Sequence, residues 1–534
     1  MQSFFIYGRA SKGDFTVDIV RKIEEYAACQ SDRIAFRSRT GEISYGELWE
    51  RSGRLASVIE NLMCDNRDPV IVYGHKDPMM IVCFIACVRS GRAYCPVDIN
   101  TPAERIAQIS EKIGEPLVLM TEKTSAAYEI EKREMFTSNR WVIGYETIRD
   151  LTQSGKITTT LSPCSDEDDF YIIFTSGTTG KPKGVRITVN DLNNYLDWAV
   201  SLAGGIEERS VFMNQAPYSF DLSVMDLYLS LATGGTVVSV DSMLQKDSYR
   251  LMHYLAGQGI NYWVSTPSFA DICLAEERFD AVFLPELKTF LFCGEVLPCE
   301  TAKSLIKRFP GAKVINTYGP TESTVCVTEI HITEEMASGN EPLPVGKARP
   351  GTTIELDPET SEIIIIGDTV SPGYYKDPEL TNNSFIPSII PLSGNTDGLT
   401  DQVQGAVRGY RTGDKGHFGK NGMLYCDGRL DNQIKLHGYR IEIDDIEANL
   451  ATVYGVKRGA VAQRIRDGRV ESLTAFVIRD GNLITDDYFG RKVIRTALRE
   501  KMPSYMVPKR VIFLDELPVT NNGKLDRKRL REMA

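Results

Sequence analysis

Short apolar runs rich in β-branched and aromatic residues recur along most of the chain, and helix-length segments separate most of them. Val70–Tyr73, Tyr171–Phe174, Thr236–Val240, Tyr262–Ser265, Thr289–Cys293 and Val314–Thr317 read as buried strands. Strands alternating with helices imply α/β layering, and ligand sites in such sheets gather beyond the carboxyl ends of the strands. The run Glu362–Ile366 and the short segments after it read as a β-rich subdomain, and from Asp431 the pattern restarts as a compact α+β unit. With 534 residues the chain exceeds a single core. The expectation is therefore an α/β protein with a large N-terminal domain at 1–430 and a small mobile α+β domain at 431–534. The Ser-, Pro-, Gly- and Asn-rich stretch between Phe385 and Tyr410 reads as an exposed loop.

One of these strands runs into a loop built for phosphate. Phe170-Tyr171-Ile172-Ile173-Phe174 leads to Thr175-Ser176-Gly177-Thr178-Thr179-Gly180-Lys181-Pro182-Lys183-Gly184. Glycines let backbone amides approach an anion, and hydroxyls and ammonium groups converge on its oxygens. Pro182 directly after Lys181 rules out the helix that a Walker A loop requires at that point.

Composition excludes other classes. Apolar residues make up 42% and charged residues 25%, as in ordinary globular chains. The longest apolar stretch, Met79–Val88, is too short to cross a bilayer and reads as a buried helix. The N-terminus lacks the basic and apolar regions of a signal peptide, so a cytoplasmic protein without membrane insertion is expected. Eleven cysteines without a Cys-x-x-Cys pair fit reduced thiols, and five histidines without ligand spacing argue against structural zinc. The net charge of −11 is uneven: residues 431–534 carry +5 and the remainder −16. An acidic body argues against nucleic acid, whereas the basic end suits an anionic nucleotide or an acidic protein.

Six further motifs follow the phosphate loop in order: Phe220-Asp221-Leu222-Ser223, Phe292-Cys293-Gly294-Glu295, Asn316-Thr317-Tyr318-Gly319-Pro320-Thr321-Glu322, Tyr410-Arg411-Thr412-Gly413-Asp414, Gly428-Arg429-Leu430-Asp431-Asn432-Gln433-Ile434-Lys435 and Asn521-Asn522-Gly523-Lys524. In this order, over nearly the full length, they resemble the adenylate-forming superfamily of acyl- and aminoacyl-activating enzymes. Within it, Asn214–Asp226 and Phe290–Pro298 are similar to the branch that joins D-alanine to a carrier protein.

The resemblance implies a role for each motif. ATP would be held by Thr175, Ser176, Gly177, Thr178, Thr179, Gly180 and Lys183 at its phosphates and by Gly294, Glu295, Asn316, Thr317 and Tyr318 around adenine, with Gly319, Pro320 and Thr321 among its further contacts. Asp414 would take the ribose hydroxyls, with Cys426, Asp427, Gly428 and Arg429 close by; Cys426 and Asp427 depart from the Tyr-Asn expected in near relatives, which leaves their contacts open. Glu322 would hold Mg²⁺, a cation that prefers carboxylate oxygen. Asp221 would pair with a substrate ammonium, which needs such a partner once it leaves water; the alternative for Asp221 is a helix N-cap, since Asp before Leu-Ser-Val-Met suits one. Cys293 and Val325 would line the amino-acid slot, and Cys326, larger than the expected Ala, would narrow it. Lys524 would be the catalytic lysine, bridging the substrate carboxylate and the α-phosphate.

Asp431 would be the hinge about which the small domain exchanges the Lys524 loop for the face carrying Gly438-Tyr439-Arg440. Ten residues after Lys524 leave no room for a fused carrier, so a separate phosphopantetheinylated, acidic carrier protein is expected. The implied function is adenylation of D-alanine and its transfer to that carrier for teichoic acid modification. Another small amino acid, such as glycine or L-alanine, remains open, as does a nucleotide-binding protein without catalysis.

Overall fold

Every residue from Met79 to Arg89 is buried in the helix Pro78–Arg89, which Pro78 and the Asp77 cap start cleanly. A helix apolar all round must be covered on all sides, and the computed structural model shows what covers it. The structure describes residues 17–114, 116–122, 142–177, 181–339, 341–386, 407–436, 439–466, 469–480, 486–519 and 525–534. Two sheets lie on either side of a helical layer that includes Pro78–Arg89 and the equally apolar Leu222–Ala232.

The first sheet has nine strands. Its middle runs parallel through Lys313–Tyr318, Thr289–Phe292, Tyr262–Ser265, Val211–Asn214, Thr236–Ser239 and Ile34–Ser38, with antiparallel strands at both edges. The second has six, with Val142–Ile143, Val118–Met120, Val70–Gly74, Tyr94–Asp98 and Asp169–Thr175 parallel and Lys183–Thr188 turning back along the last. One core fills the space between the sheets, joining Val70, Val72 and Leu119 of one to Phe36, Phe212 and Leu291 of the other. A second core, around Trp263 and Phe290, covers the outer face of the larger sheet under helices such as Cys299–Arg308. The helix Ala103–Ile113 covers the outer face of the smaller sheet.

The expected β-rich subdomain is a five-stranded antiparallel sheet centred on Arg408–Phe418. The loop expected between Phe385 and Tyr410 needs correcting at its ends. Phe385–Ile386 is a strand paired with Gly409 and Tyr410, and the Phe385 ring packs on Tyr374 and Tyr410, so burial of one aromatic side chain outweighs the polar composition beside it. Residues 387–406 lie outside the described residues.

Beyond Arg429 come a hairpin, Gln433–Leu436 with Tyr439–Glu442, and a three-stranded sheet of Val456–Arg466, Arg469–Arg479 and Arg510–Phe513 packed with helices. Their cores draw only on residues after 433. No helix among the described residues is long and apolar enough to cross a membrane.

Candidate active site

Carboxyl ends of strands from both sheets converge on a narrow cavity of about 110 Å³ that opens beside a wide cleft of about 1320 Å³. Thr175 and Ser176 end the strand Asp169–Thr175, and Lys183 opens the returning strand. The phosphate loop thus joins two antiparallel strands and leads into no helix, consistent with Pro182. A Cβ on Gly177 would come within 2.2 Å of Lys181 O, so the turn closes only with glycine there. Thr178, Thr179 and Gly180 lie outside the described residues. Buried Thr175 Oγ1 has no hydrogen-bond partner among the described residues.

On the larger sheet, Thr317 Oγ1 donates to Phe292 O at 2.8 Å and Asn316 Nδ2 to Pro344 O at 2.8 Å. These bonds fix the strand end and leave buried Asn316 Oδ1 without a partner among the described residues, an acceptor suited to the exocyclic amine of a purine. Gly294, Glu295 and Tyr318 line the same cleft, and Glu295 accepts from Ser268 N at 3.1 Å. Gly319 lets the chain pass close: a Cβ there would lie 2.5 Å from Cys326 Cα. Asp414 accepts from Tyr318 Oη and Arg429 Nη1, each at 2.8 Å. Cys426 borders the cleft, with burial pushing its thiol up to about 12, whereas Asp427 points away to His417 at 2.8 Å. Gly428 takes a φ of +119° between Asp427 and Arg429.

Asp221 stands as the residue before the helix Leu222–Ala232, yet its carboxylate makes no cap hydrogen bond. It bonds to the Thr321 side chain and faces the narrow cavity beside Pro320 and Lys435. Burial pushes its pKa up to about 6, opposed by the Thr321 bond and reinforced by the negative charge of Glu322. Cys293 and Cys326 are buried side by side, joined by a side-chain hydrogen bond, with Cys293 Sγ reaching Val325 O at 3.7 Å. In this arrangement neither thiol nor Val325 opens onto the narrow cavity; Gly294 and Gly319 form its wall instead.

Glu322 is fully buried and surrounded by cations. Its carboxylate meets Arg440 Nη1 at 2.7 Å, Tyr374 Oη at 2.8 Å and Lys183 Nζ at 3.7 Å. Burial opposes ionisation, but Arg440 and Lys183 outweigh it and hold this carboxyl well below the usual range. Burial also pulls the Lys183 amine down to about 8, with the Arg440 charge adding to the effect. Thr324 and Val325, directly after this turn, both take positive φ, +59° and +65°. Two such non-glycine residues cost on the order of 1–3 kcal/mol each, strain that the surrounding cores must offset.

Arg440 belongs to the C-terminal hairpin, so the small domain is docked with that face in the site. Ser176 Oγ donates to Arg440 O at 3.2 Å and accepts from Glu442 N at 3.2 Å. Tyr439 and Tyr505 stack at 3.8 Å and meet Phe220 edge-on. Arg105 ties the two parts together, donating to Thr175 O at 3.1 Å and facing Asp445 at 3.7 Å. Asp431 is held by Arg429 at 2.9 Å and itself accepts from Gln433 N at 3.0 Å. Lys524 lies outside the described residues. Sequence reasoning missed Tyr374, Arg105 and Tyr505; the Gly373-Tyr374 turn carried a weak signal, and the other two carried none.

A nucleotide cleft that shares its wall with a carboxylate-bearing slot, both closed by a second domain, is the arrangement of enzymes that couple an acid to AMP. The family model described as AMP-binding enzyme matches residues 23–375, and that of the AMP-binding enzyme C-terminal domain matches 445–524. The chain belongs to the AMP-binding enzyme family. A D-alanine--D-alanyl carrier protein ligase of Bacillus cereus (strain AH187) is 41% identical over 525 residues, covering 96% of this chain and 98% of its own. A ligase of the same name from Bacillus anthracis is 40% identical over 524 residues, with the same coverage. Among solved structures, the amide bond synthetase McbA from Marinactinospora thermotolerans superposes with a TM-score of 0.80 at 20% identity, covering 97% of this chain and 99% of its own. The Vibrio cholerae adenylation domain AlmE, in complex with glycyl-adenosine-5'-phosphate, superposes with a TM-score of 0.73 at 21% identity, covering 99% of each chain.

Proposed function

We propose that this enzyme is an AMP-forming ligase that activates D-alanine as D-alanyl-adenylate and transfers it to a carrier protein. The relatives at 40–41% identity, matched over 98% of their own length and named for that reaction, support the substrate and the partner. The finer reading is a cytoplasmic enzyme that uses Mg-ATP, loads the phosphopantetheine thiol of a separate acidic carrier and supplies D-alanine for teichoic acid in the cell wall.

The first step joins two anions. A D-alanine carboxylate oxygen attacks the α-phosphorus, the bond to the β-phosphate oxygen breaks, and pyrophosphate leaves. Lys524 would neutralise the oxygens being joined. Asp221 would hold the ammonium, and Asn316, Tyr318 and Asp414 the nucleoside. Glu322 suits Mg²⁺ chemically, but here Arg440, Tyr374 and Lys183 surround it, so metal binding requires Arg440 to withdraw. When bound, the metal would supply charge to the phosphates. In the second step the carrier thiolate attacks the acyl carbon and AMP leaves. The docked hairpin suits this step, because it fills the phosphate loop only after pyrophosphate has gone.

The observation that carries the reading is Asp221, a carboxylate facing the cavity whose helix takes no cap bond from it. Amino-acid-dependent exchange of pyrophosphate into ATP, measured across D- and L-amino acids and glycine, tests it. D-Alanine should give the highest kcat/KM and Lys524→Ala should abolish exchange while ATP still binds. Equal exchange with L-alanine or glycine would contradict the substrate, and unchanged exchange in Lys524→Ala would contradict the mechanism.

A further inference from the structure

Lys76 is almost wholly buried, outside every motif described above, at the turn between the strand Val70–Gly74 and the helix Pro78–Arg89. Its Nζ donates to Asn214 Oδ1 and to Ala216 O, and lies 4.3 Å from the centre of the Tyr218 ring. Asn214 passes the contact on. Its Nδ2 donates to Asp226 Oδ1 at 2.7 Å, and its Oδ1 also accepts from Ser239 Oγ at 2.8 Å. Asp226 is fully buried on the helix that begins at Leu222, and its Oδ2 has no hydrogen-bond partner among the described residues.

One ammonium group from the smaller sheet therefore grips the end of a strand of the larger sheet and the first half of the segment that follows it, and through Asn214 it reaches Asp226 on the helix after that segment. That segment, from Gln215 to Asp221, has no regular structure apart from turns, and delivers Phe220 and Asp221 to the cavity. A buried ammonium without compensation is costly. Burial pulls the amine down to about 8, while Asp226, Asp98 and Asp241 hold it up; burial likewise pushes the Asp226 carboxyl well above its usual range, opposed by the Lys76 charge and the Asn214 bond. Two carbonyl oxygens, an aromatic face and a bridged carboxylate are a heavy investment in one side chain, and the segment they fix is the one that carries the ammonium-binding carboxylate.

We propose that Lys76 is a positioning residue for amino-acid recognition: it holds the 215–221 segment so that Asp221 meets the substrate ammonium, and it has no part in nucleotide binding. The inference rests on the reading of Asp221 given above, and it predicts a split between the two substrates of one reaction.

The test is pyrophosphate exchange with the full chain. Lys76→Met keeps the length of the side chain and removes its charge and donors. It should raise KM for the amino acid about tenfold or more, with KM for ATP within about twofold, because a small misplacement of a binding group is felt only by the ligand it touches. Lys76→Met also removes the cation that opposes the burial of Asp226, so Lys76→Met with Asp226→Asn is the second variant; it should be at least as stable as the single variant and keep the raised amino-acid KM. Recovery of that KM in the double variant would show that Lys76 merely neutralises Asp226, and equal changes in both KM values would show a general structural role; either overturns the proposal. If the single variant does not fold, the double variant decides alone. The split is measured with whichever amino acid drives exchange in the unaltered enzyme, so a wrong substrate assignment and a wrong role for Lys76 give different results.

Discussion

Arg440 and Glu322, 118 residues apart, form an ion pair of 2.7 Å in which the carboxylate is fully buried. The pair joins the two domains at the point where Mg²⁺ is expected. In the same pose the backbone of Arg440 and Glu442 takes both hydrogen bonds of Ser176, a hydroxyl assigned to ATP phosphate. On the proposed roles of Ser176 and Glu322, the small domain as docked and a bound nucleoside triphosphate would compete for the same groups.

Arg440→Ala should separate the half-reactions. Breaking a buried pair costs about 3–5 kcal/mol, and here the loss falls only on the docked pose. Transfer to the carrier should fall at least about tenfold, the equivalent of 1.4 kcal/mol, while amino-acid-dependent pyrophosphate exchange is kept. Single-turnover transfer from preformed aminoacyl-adenylate measures it, and equal losses in both half-reactions would refute the competition.

Asp221 makes the amino-acid step sensitive to acid. With a folded pKa of about 6, the carboxylate that would hold the ammonium is lost as pH falls through 6, so kcat/KM for the amino acid should drop there while ATP binding does not. The sign for stability is opposite. A carboxyl whose pKa is raised by folding subtracts stability fully above the folded pKa, and sheds that penalty progressively as pH falls from there to the unfolded value of 3.8. Asp221→Asn should thus raise stability at pH 7 by on the order of 1–3 kcal/mol, given 1.36 kcal/mol per pKa unit, while abolishing the amino-acid step. Thermal unfolding across the range from pH 7 down to the unfolded pKa of 3.8 shows whether the gain shrinks in acid as this requires.

Cys326 lies directly behind Gly319 in the cavity wall, and on the proposed function it would limit the slot through that wall. Cys326→Ala should cost about 1–2 kcal/mol for the cavity left behind and improve activation of amino acids one carbon larger than D-alanine by roughly tenfold, since a methylene is worth about 1–3 kcal/mol in such a slot. A panel of exchange rates with D-amino acids of increasing size checks it.

Chelation of divalent cations should stop exchange and leave transfer from preformed adenylate intact, because Arg440 takes the place beside Glu322 in the docked pose. Loss of both activities on chelation would contradict that exchange of cations.

Much of this was legible in the chain. The run Tyr262–Ser265 is a strand with those bounds, and Pro182 foretold a loop that does not enter a helix. Local patterning carries such facts, because burial and turn chemistry act on neighbours in sequence. Contacts across long separations were not legible. Nothing near Lys76 announces that it will meet Asn214, because that contact exists only once the strand Val211–Asn214 lies opposite the end of Val70–Gly74. Phe385–Ile386 was hidden for the same reason: two residues in polar surroundings become a strand because Tyr410 pairs with them.

The most direct measurement is a crystal structure of the enzyme with a non-hydrolysable D-alanyl-adenylate analogue. The account predicts the alanyl ammonium in a salt bridge with Asp221, and the Lys524 amine, in the pose that makes the adenylate, on the oxygens joining acyl group and phosphate. An analogue bound with its ammonium turned away from Asp221, or with Asp221 and Lys524 in separate cavities, would contradict it.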